Sequence, residues 1–431
     1  MSDYAIGLVG WGTVGGGVLN ILQQDGTLLK ERCNLNVRLK AIVTRNPDRA
    51  RDQKPGSAVV GSDLALITDD PEIKTVLHLV GGTTAAKDIA IACLRAGKHV
   101  VTANKALLAE HWDELFAVAK ETGHTIAFEA AVAGGIPVIA ALRDGLVAND
   151  IRGIYSILNG TCNYILSRMT QDGMGYDEAL GLAKDLGYAE SDPTLDVNGT
   201  DTAHKLAILA QIAFNTNVPF CAVHIEGIEN ISADDIESAQ RLDSTIKLLG
   251  VAKRCPAGVE LRVAPTLVPN SNPLAHVNAN YNAVRIMANN AGPTLLVGQG
   301  AGALPTASAV LSDLIDIAVG SYQRTAEYFR FFAGGEPSTI LPEEDEFTAS
   351  YARFRVKDEP GVLAQMTATL SKHGVSLRAV HQGEPDADST AEIEVTTHPT
   401  RGGAFLSAVK EIDQAGITVQ PTVCLRRLDE G

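Results

Sequence analysis

One short stretch of the chain combines four acidic side chains with a lysine. Residues 186–205 read LGYAESDPTLDVNGTDTAHK. Gly187, Pro193 and Gly199 keep its front half from forming one helix. From about residue 198 the pattern is helical, so Asp201 and Lys205 fall four residues apart on one helix face. A pair at this spacing is commonly a surface ion pair worth about 0.3–0.5 kcal/mol. The acids of the stretch are Glu190, Asp192, Asp196 and Asp201.

The same residue types also suit the reduction of a carbonyl. A carbonyl that accepts hydride becomes an alkoxide, and the alkoxide needs a proton donor close by. A lysine can supply that proton when burial and a neighbouring carboxylate adjust its pKa. The other acids of the loop can hold a substrate ammonium. The pattern by itself leaves the surface ion pair and the reaction centre both open.

A glycine-rich turn near the N-terminus has the features of a dinucleotide site. GLVGWGTVGGG places Gly10, Gly12 and Gly15 after a predicted strand (4–9) and at the start of a predicted helix (13–24). These glycines allow a tight turn, close approach of a pyrophosphate and close helix packing, and the helix N-terminus offers N–H groups to phosphate. We predict nucleotide binding; the alternative is a structural glycine turn.

The residue after the second predicted strand bears on the choice of nucleotide. NAD sites usually have an Asp or Glu there, whereas this chain has Arg45, a cation suited to a 2′-phosphate. Lys54 can assist. The sequence therefore favours NADP, with NAD as the alternative cofactor. The alternative role for Arg45 is that of a solvated loop residue without a ligand.

Two further loops follow predicted strands, in HLVGGTTAAK and HVVTANKALL. Both therefore lie at the carboxyl edge of the predicted sheet, where ligands bind in α/β folds. The second carries Lys105. Most loop lysines are solvated, but this position beside a nucleotide site favours a functional one.

Cys162, in LNGTCNYI, is the competing nucleophile. As a catalytic thiol it would indicate an acylating dehydrogenase. No histidine is near it in sequence, and a small cysteine packed at the start of a helix is the simpler interpretation.

Length, composition and charge limit the class of protein to which the chain can belong. The chain has 431 residues, 45% of them hydrophobic, and a net charge of −15. This length predicts two or three domains, and the acidic balance argues against nucleic acid and anionic membranes as partners. The N-terminus lacks the pattern of a signal peptide, and the six cysteines form no CxxC pair. We expect a reduced, cytoplasmic protein without a membrane segment.

The elements alternate strand and helix over the first ~130 residues, which predicts a parallel, Rossmann-type α/β sheet. A mixed α+β region follows, then a helix over 305–320 and a Gly-, Pro- and acid-rich linker. The last ~85 residues read βαββαβ, a ferredoxin-like order. We place the boundaries at 1–134 for the dinucleotide-binding domain, 135–304 for the mixed α+β domain, 305–332 for the segment of the next helix, 333–346 for the linker and 347–431 for the ferredoxin-like domain.

Together these segments resemble homoserine dehydrogenase of the longer bacterial type, over nearly the whole chain. The matching motifs are G-W-G-T-V-G (10–15), V-T-A-N-K (101–105), E-A-A-V-A-G-G-I-P (129–137), N-G-T-C-N-Y-I-L (159–166), the patterned 186–205 stretch and G-x-G-A-G-x-x-P-T-A-S-A-V (298–310). The 186–205 pattern is the most specific, and its charged positions show no departure. The resemblance implies that 135–304 is a catalytic and dimerisation domain, that the helix of 305–332 returns to the dinucleotide-binding domain and that 347–431 is a regulatory domain.

The resemblance implies reversible, NAD(P)H-dependent reduction of L-aspartate 4-semialdehyde to L-homoserine, in threonine, methionine and isoleucine biosynthesis. It makes Lys205 the general acid, oriented by Asp201, and puts Lys105 between nicotinamide and substrate. The implied substrate-binding residues are Gly187, Glu190, Asp196 and Asp201. The implied cofactor-binding residues are Gly10, Gly12, Thr13, Val14, Gly15, Arg45, Lys54, Thr83, Lys105 and Gly302.

The resemblance also implies a monovalent cation, sodium, near the domain junction. Its ligands would be Glu129 and the backbone carbonyls of Val132, Gly134 and Ile136, since carbonyl oxygens suit a hard ion. The alternative is an ordinary tight loop.

The C-terminal unit resembles an ACT domain through Asp358-Glu-Pro-Gly361-Val362-Leu363, its D-x-P-G-x-L signature. A helix N-terminus there can receive a carboxylate. The resemblance implies L-threonine as a feedback inhibitor and a homodimer or homotetramer; a purely dimerising domain is the alternative.

Two other functions remain as alternatives. An acylating semialdehyde dehydrogenase would use Cys162 and would need a phosphate or thiol acceptor. A sensor built on a dehydrogenase scaffold would bind the nucleotide without turnover.

Overall fold

The computed structural model describes residues 2–328 and 338–428. Its strands, in chain order, are β1 (Ser2–Val9), β2 (Leu35–Val43), β3 (Val59–Gly61), β4 (Ile73–His78), β5 (His99–Thr102), β6 (Ile126–Ala127), β7 (Ile151–Ile157), β8 (His224–Ile225), β9 (Ser244–Cys255), β10 (Gly258–Pro269), β11 (Tyr281–Ala288), β12 (Gly292–Gln299), β13 (Phe347–Lys357), β14 (Leu377–Gln382), β15 (Thr390–Thr397), β16 (Thr400–Arg401) and β17 (Val423–Arg427).

The α-helices are α1 (Thr13–Gln24), α2 (Gly26–Cys33), α3 (Pro47–Arg51), α4 (Ala65–Thr68), α5 (Thr84–Arg95), α6 (Lys105–Thr122), α7 (Val138–Ala140), α8 (Gly160–Asp172), α9 (Tyr176–Asp185), α10 (Thr194–Val197), α11 (Thr200–Phe214), α12 (Ala233–Arg241), α13 (Ala303–Ala318), α14 (Ser321–Tyr328), α15 (Val362–Lys372) and α16 (Gly402–Gln414).

The described residues form two compact units, and the chain passes between them more than once. The first unit takes its residues from 1–160, 201–221 and 280–338. The second takes them from 161–200, 222–279 and 339–431. Each unit is described by itself below.

The first unit contains the predicted parallel sheet. Its strand order is β3-β2-β1-β4-β5-β6, and the neighbouring strands pair in parallel. This is the doubly wound order in which a nucleotide binds at the carboxyl edge, where the strand order reverses between β1 and β4. The prediction of a Rossmann-type domain is therefore confirmed.

Helix α13 packs on this sheet domain. Ala307, Val310, Leu314 and other buried residues of α13 share one apolar cluster with Ile6 of β1 and with residues of α1. The approach to α1 is close, since a Cβ placed on Gly17 would lie 2.4 Å from the carbonyl oxygen of Ala303. A glycine at 17 is thus required for this helix pair. The first unit also contains an antiparallel sheet of three strands, β12-β11-β7.

The second unit contains the predicted ferredoxin-like module. Its sheet runs β17-β13-β15-β14 with antiparallel pairs. Helices α15 and α16 cover it with Met366, Leu370, Phe405 and Ile412, which pack in one core with strand residues such as Phe354. The sheet is extended on the β17 side, because β17 pairs in parallel with β10. The ferredoxin-like prediction is confirmed.

Several elements differ from the predicted ones. Strand β9 and helix α12 have no predicted counterpart within the mixed α+β region. Of the predicted linker, Thr339 and Leu341 form backbone hydrogen bonds with Val259 of β10 (2.8 and 2.9 Å). Residues 329–337, which include parts of the predicted returning helix and linker, lie outside the described residues.

Candidate active site

Asp201 and Lys205 lie in the first two turns of α11, as the spacing predicts. Lys205 Nζ donates to Asp201 Oδ2 at 2.7 Å, and both side chains are about nine-tenths buried, with 11% and 9% of their surface exposed. This buried pair is not the solvated surface ion pair that was one of the two interpretations of the spacing. A buried pair of charges is retained only where its hydrogen bonds are well satisfied.

Lys105 reaches the same carboxylate from another helix. Its Nζ lies 3.1 Å from Asp201 Oδ1. The sequence Thr102-Ala-Asn104-Lys105 explains the position: β5 ends at Thr102, and the side chain of Asn104 caps α6 by accepting from Leu107 N at 3.0 Å. Lys105 is therefore the first residue of α6, at the carboxyl edge of the sheet.

The structure adds two groups that the sequence did not single out. Asn159 Nδ2 donates to Asp201 Oδ2 at 2.8 Å, and the carbonyl oxygen of Leu158 accepts from Lys205 Nζ at 2.6 Å. Both lie between β7 and α8, and Asn159 is the first residue of the N-G-T-C-N-Y-I-L motif. The motif was the feature of the sequence that could have identified Asn159. Its contact with α11 forms only in the folded chain, so no spacing along the sequence predicts it.

The charge of this cluster is set by the two lysines. Burial alone would raise the pKa of the Asp201 carboxyl, but the charges of Lys205 and Lys105 and the hydrogen bonds from Lys205 and Asn159 outweigh it. They hold the pKa of Asp201 well below its usual range. At neutral pH Asp201 is therefore an anion, and the Nζ atoms of Lys105 and Lys205 contact its two oxygens.

The glycine turn fits a nucleotide. Gly10 has φ +94°, and a Cβ there would lie 2.4 Å from the carbonyl oxygen of Leu79. No heavy atom lies within 4 Å of the Cβ position of Gly12, and no side chain caps α1. The N–H groups of Thr13, Val14 and Gly15 have no acceptor within their helix. This cradle of open backbone donors matches a pyrophosphate.

The other proposed cofactor residues are also in the first unit. Arg45 and Lys54 are exposed and flank the short helix α3, which follows β2. Thr83 directly precedes α5. Gly302 precedes α13 with φ +123°, a conformation that favours glycine. Arg45 and Thr83 are in the segments that follow β2 and β4, at the carboxyl edge where the strand order places a ligand.

The other residues that the sequence predicts to bind substrate belong to the second unit. Gly187 ends α9 with φ +74°, and Glu190 is exposed in the following loop. Asp196, on α10, is half-buried, and its Oδ2 lies 3.4 Å from Thr161 Oγ1.

Cys162 is fully buried, and its Sγ donates to the carbonyl oxygen of Asp196 at 3.1 Å. A reacting thiolate needs access to its substrate. The position supports a packing role for this cysteine.

The predicted cation segment is a tight, buried turn. Ala133 and Gly134 both have positive φ (+55° and +54°). The Glu129 carboxylate accepts from the N–H groups of Ile139 and Ala140 at 2.8 Å each, and burial raises its pKa to about 7. Each Glu129 oxygen keeps a further lone pair. A carboxylate together with backbone carbonyl oxygens is a donor set of the type that a hard cation prefers. Over residues 2–328 and 338–428, no cluster of three or more His, Cys, Asp or Glu side chains is arranged for a metal.

The ACT signature forms the turn between β13 and α15. Gly361 has φ +97° at the start of α15, Val362 is buried in the core, and Leu363 is partly exposed. Asp358 Oδ1 accepts from Gln382 Nε2 of β14 at 3.3 Å.

In the part of the chain that the structure describes, no helix has the length and apolar character needed to span a membrane.

Comparison with known families agrees with these features. The family model of homoserine dehydrogenase matches residues 137–315, that of its NAD-binding domain matches 10–129, and that of the ACT domain matches 350–416. The homoserine dehydrogenase of Neisseria gonorrhoeae is 42% identical over 430 residues, covering 99% of each chain.

Solved structures give the same result. A homoserine dehydrogenase from Thiobacillus denitrificans superposes with a TM-score of 0.94 at 40% identity, over 100% of this chain and 99% of that one. A hyperthermophilic archaeal homoserine dehydrogenase mutant in complex with NADPH gives a TM-score of 0.62 at 25% identity, over 74% and 98%. The chain therefore belongs to the homoserine dehydrogenase family of nicotinamide-dependent oxidoreductases, in the form that carries an ACT domain.

Proposed function

We propose that this chain reduces L-aspartate 4-semialdehyde to L-homoserine, reversibly and with NADP(H), as a step of threonine, methionine and isoleucine biosynthesis. The observation that carries the proposal is the contact of Lys205 and Lys105 with one buried carboxylate, Asp201, in the unit that also contains the parallel sheet and its glycine turn. A bound nicotinamide would exchange hydride with the substrate carbon.

In this proposal Lys205 is the general acid. An ammonium has three N–H donors. Two of them are directed to the Leu158 carbonyl and to Asp201. The third is left for the substrate oxygen, to which it gives a proton as the carbonyl becomes an alcohol. In the reverse direction the neutral amine takes that proton back.

Asp201 fixes the orientation of both lysines in this scheme. It accepts from Lys205 and Asn159 through Oδ2 and contacts Lys105 through Oδ1. The Lys105 side chain is 40% exposed, so in this orientation it remains accessible to the substrate and the nicotinamide. We assign the amino-acid end of the substrate to Gly187, Glu190 and Asp196, with Asp201 supporting its ammonium, on the strength of the family resemblance.

A turnover assay tests this function. The protein is mixed with L-homoserine and NADP⁺, without any phosphate or thiol acceptor, and nicotinamide absorbance is followed. Reduction of NADP⁺ is the expected result. A folded protein that binds NADP⁺ but gives no reduction with L-homoserine would overturn the proposal and favour a sensor.

We propose NADP as the preferred nucleotide, because two exposed cations follow β2, namely Arg45 just after the strand and Lys54 beyond α3. Arg45→Ala is expected to lower kcat/KM for NADP⁺ by about 10–100-fold, the value of a lost charge-assisted hydrogen bond. The value for NAD⁺ should change little. The measurement is kcat/KM for both nucleotides, with Arg95→Ala, an exposed arginine that ends α5, as the matched control. Equal losses for NADP⁺ and NAD⁺ would argue against a 2′-phosphate contact.

We propose that a sodium ion, where bound, is held by the backbone oxygens of Val132, Gly134 and Ile136 together with Glu129. Its charge would stabilise the tight turn that leads into α7.

We propose that L-threonine inhibits the enzyme by binding at the ACT turn, through Asp358 and the backbone of Gly361, Val362 and Leu363. The N-terminus of α15 suits its carboxylate. Asp358→Ala is expected to raise the half-inhibitory threonine concentration about tenfold or more, the value of one charged hydrogen bond. Inhibition curves for this variant and for Glu384→Ala, an exposed acid of the same domain, give the comparison. Wild type that is insensitive to threonine would reduce the ACT domain to an assembly role.

The domain limits given above, 1–134, 135–304, 305–332, 333–346 and 347–431, are also proposals, as is assembly into a dimer or tetramer. The family matches at 10–129 and 350–416 fall within the first and last of these ranges, and the match at 137–315 supports the start of the second.

A further inference from the structure

Lys247 is a fully buried lysine in the second unit. It lies on β9, and 0% of its surface is exposed. Its Nζ donates to the carbonyl oxygen of Val277 at 2.6 Å, to Asn163 Oδ1 at 3.1 Å and to Asn278 Oδ1 at 3.1 Å. The three donors of the ammonium are thereby matched by three neutral oxygen acceptors.

This arrangement is energetically expensive. Lys247 makes no ion pair with any described Asp or Glu, and an ammonium buried without a counter-charge is disfavoured. Accordingly, burial lowers the pKa of Lys247 to about 8. An apolar side chain of similar length would fill the same space without that cost. A lysine suits this position because its ammonium can donate to all three acceptors, which an apolar side chain cannot.

The acceptors join a helix to a loop. Asn163 is in the first turn of α8, and its Nδ2 also donates to the carbonyl oxygen of Val277 at 3.0 Å. One turn later Ser167 Oγ donates to the carbonyl oxygen of Asn163 at 2.6 Å and accepts from Ala279 N at 3.2 Å. Lys247 is therefore the centre of a polar junction that fixes the first turn of α8 against the 277–279 loop.

The first turn of α8 also contacts the loop at residues 187–196. Thr161 Oγ1 donates to the carbonyl oxygen of Tyr188 at 2.7 Å. Cys162 Sγ donates to the carbonyl oxygen of Asp196 at 3.1 Å. Two successive residues of α8 thus set the path of the loop that carries Gly187, Glu190 and Asp196.

We infer that Lys247 is a positioning residue for the amino-acid end of the substrate, acting through Asn163 and the first turn of α8 on the 187–196 loop. The inference rests on the proposed function, because it takes the substrate ammonium and carboxylate to be bound by that loop. Lys247 itself touches neither substrate nor nucleotide in this account. Removing its ammonium should therefore alter substrate affinity more than the chemical step.

Lys247→Met tests the role, with steady-state kinetics of L-homoserine oxidation. We expect the KM for L-homoserine to rise about tenfold or more, as for loss of hydrogen bonds to a charged group. The KM for NADP⁺ should not change, and kcat should change much less than the homoserine KM. A lysine with only a structural role would lower thermal stability and the active fraction, hence kcat, and leave the homoserine KM of the folded protein unaltered. That outcome would overturn the inference.

Two further variants complete the test. Lys253→Met is the matched control, since Lys253 is on the same strand, is 37% exposed and pairs with Glu260 at 3.6 Å; its homoserine KM should equal that of wild type. Asn278→Ala removes one acceptor and decides the matter if Lys247→Met does not fold. A raised homoserine KM supports the role, and an unchanged one overturns it. Wild type that does not oxidise L-homoserine would instead refute the proposed function, and this inference with it.

Discussion

Lys205→Met is expected to lower kcat for L-homoserine oxidation by about 10²–10⁴-fold, the usual contribution of a general acid or base. The side chain is buried and directed by Asp201 and the Leu158 carbonyl, so the substitution removes the one ammonium that is held in this position. NADPH binding should be retained, because the glycine turn is built from other segments. The measurements are kcat and NADPH affinity from nucleotide fluorescence.

The control for this variant is Lys120→Met, an exposed lysine in the last turn of α6. It should match wild type in both quantities. A Lys205→Met protein that keeps its kcat would show that the proton comes from another group, and Lys105 would be the next to replace.

Asp201→Asn is expected to lower kcat/KM for L-homoserine by about 10–100-fold or more, since hydrogen bonds to charged groups are worth about 1.5–3 kcal/mol. The amide keeps the shape of the side chain but leaves Lys105 and Lys205 without their shared counter-charge. Asp88→Asn, an exposed acid on α5, is the control. Unchanged kcat/KM in Asp201→Asn would contradict the orienting role.

The stability of this variant should depend on pH with a definite sign. The pKa of Asp201 is depressed in the folded protein, so its charge stabilises the fold above the unfolded-state pKa of about 3.9. That contribution is lost as the pH falls through the lower folded-state pKa. The Tm difference between wild type and Asp201→Asn should therefore be full at neutral pH and shrink below about pH 4.

Local patterns predicted much of this architecture. The glycine turn and the helix after it follow from backbone requirements that few sequences meet, and the predicted helix 13–24 is α1. The 3.6-residue period likewise predicted α11 and hence the Asp201–Lys205 spacing. The ferredoxin-like order was predictable because each element has its own periodicity and turn signals.

Other features depend on tertiary contact and have no local signal. Strand β9 is buried at seven successive positions, so it lacks the alternation that marks a half-buried strand. Asn159 and the Leu158 carbonyl join the site only because the end of β7 meets α11 in space. Lys247 reads in sequence as an ordinary charged residue, and its burial is visible only in the fold.

The central claim is that Lys205, and not a cysteine, serves the reaction. Single-turnover oxidation of L-homoserine, with enzyme in excess over NADP⁺ and no acylation acceptor, tests it in wild type, Lys205→Met and Cys162→Ser side by side. The account predicts full NADP⁺ reduction at similar rates in wild type and Cys162→Ser, and a rate lower by about 10²-fold or more in Lys205→Met. Loss of the reaction in a folded Cys162→Ser protein, with Lys205→Met still active, would contradict it.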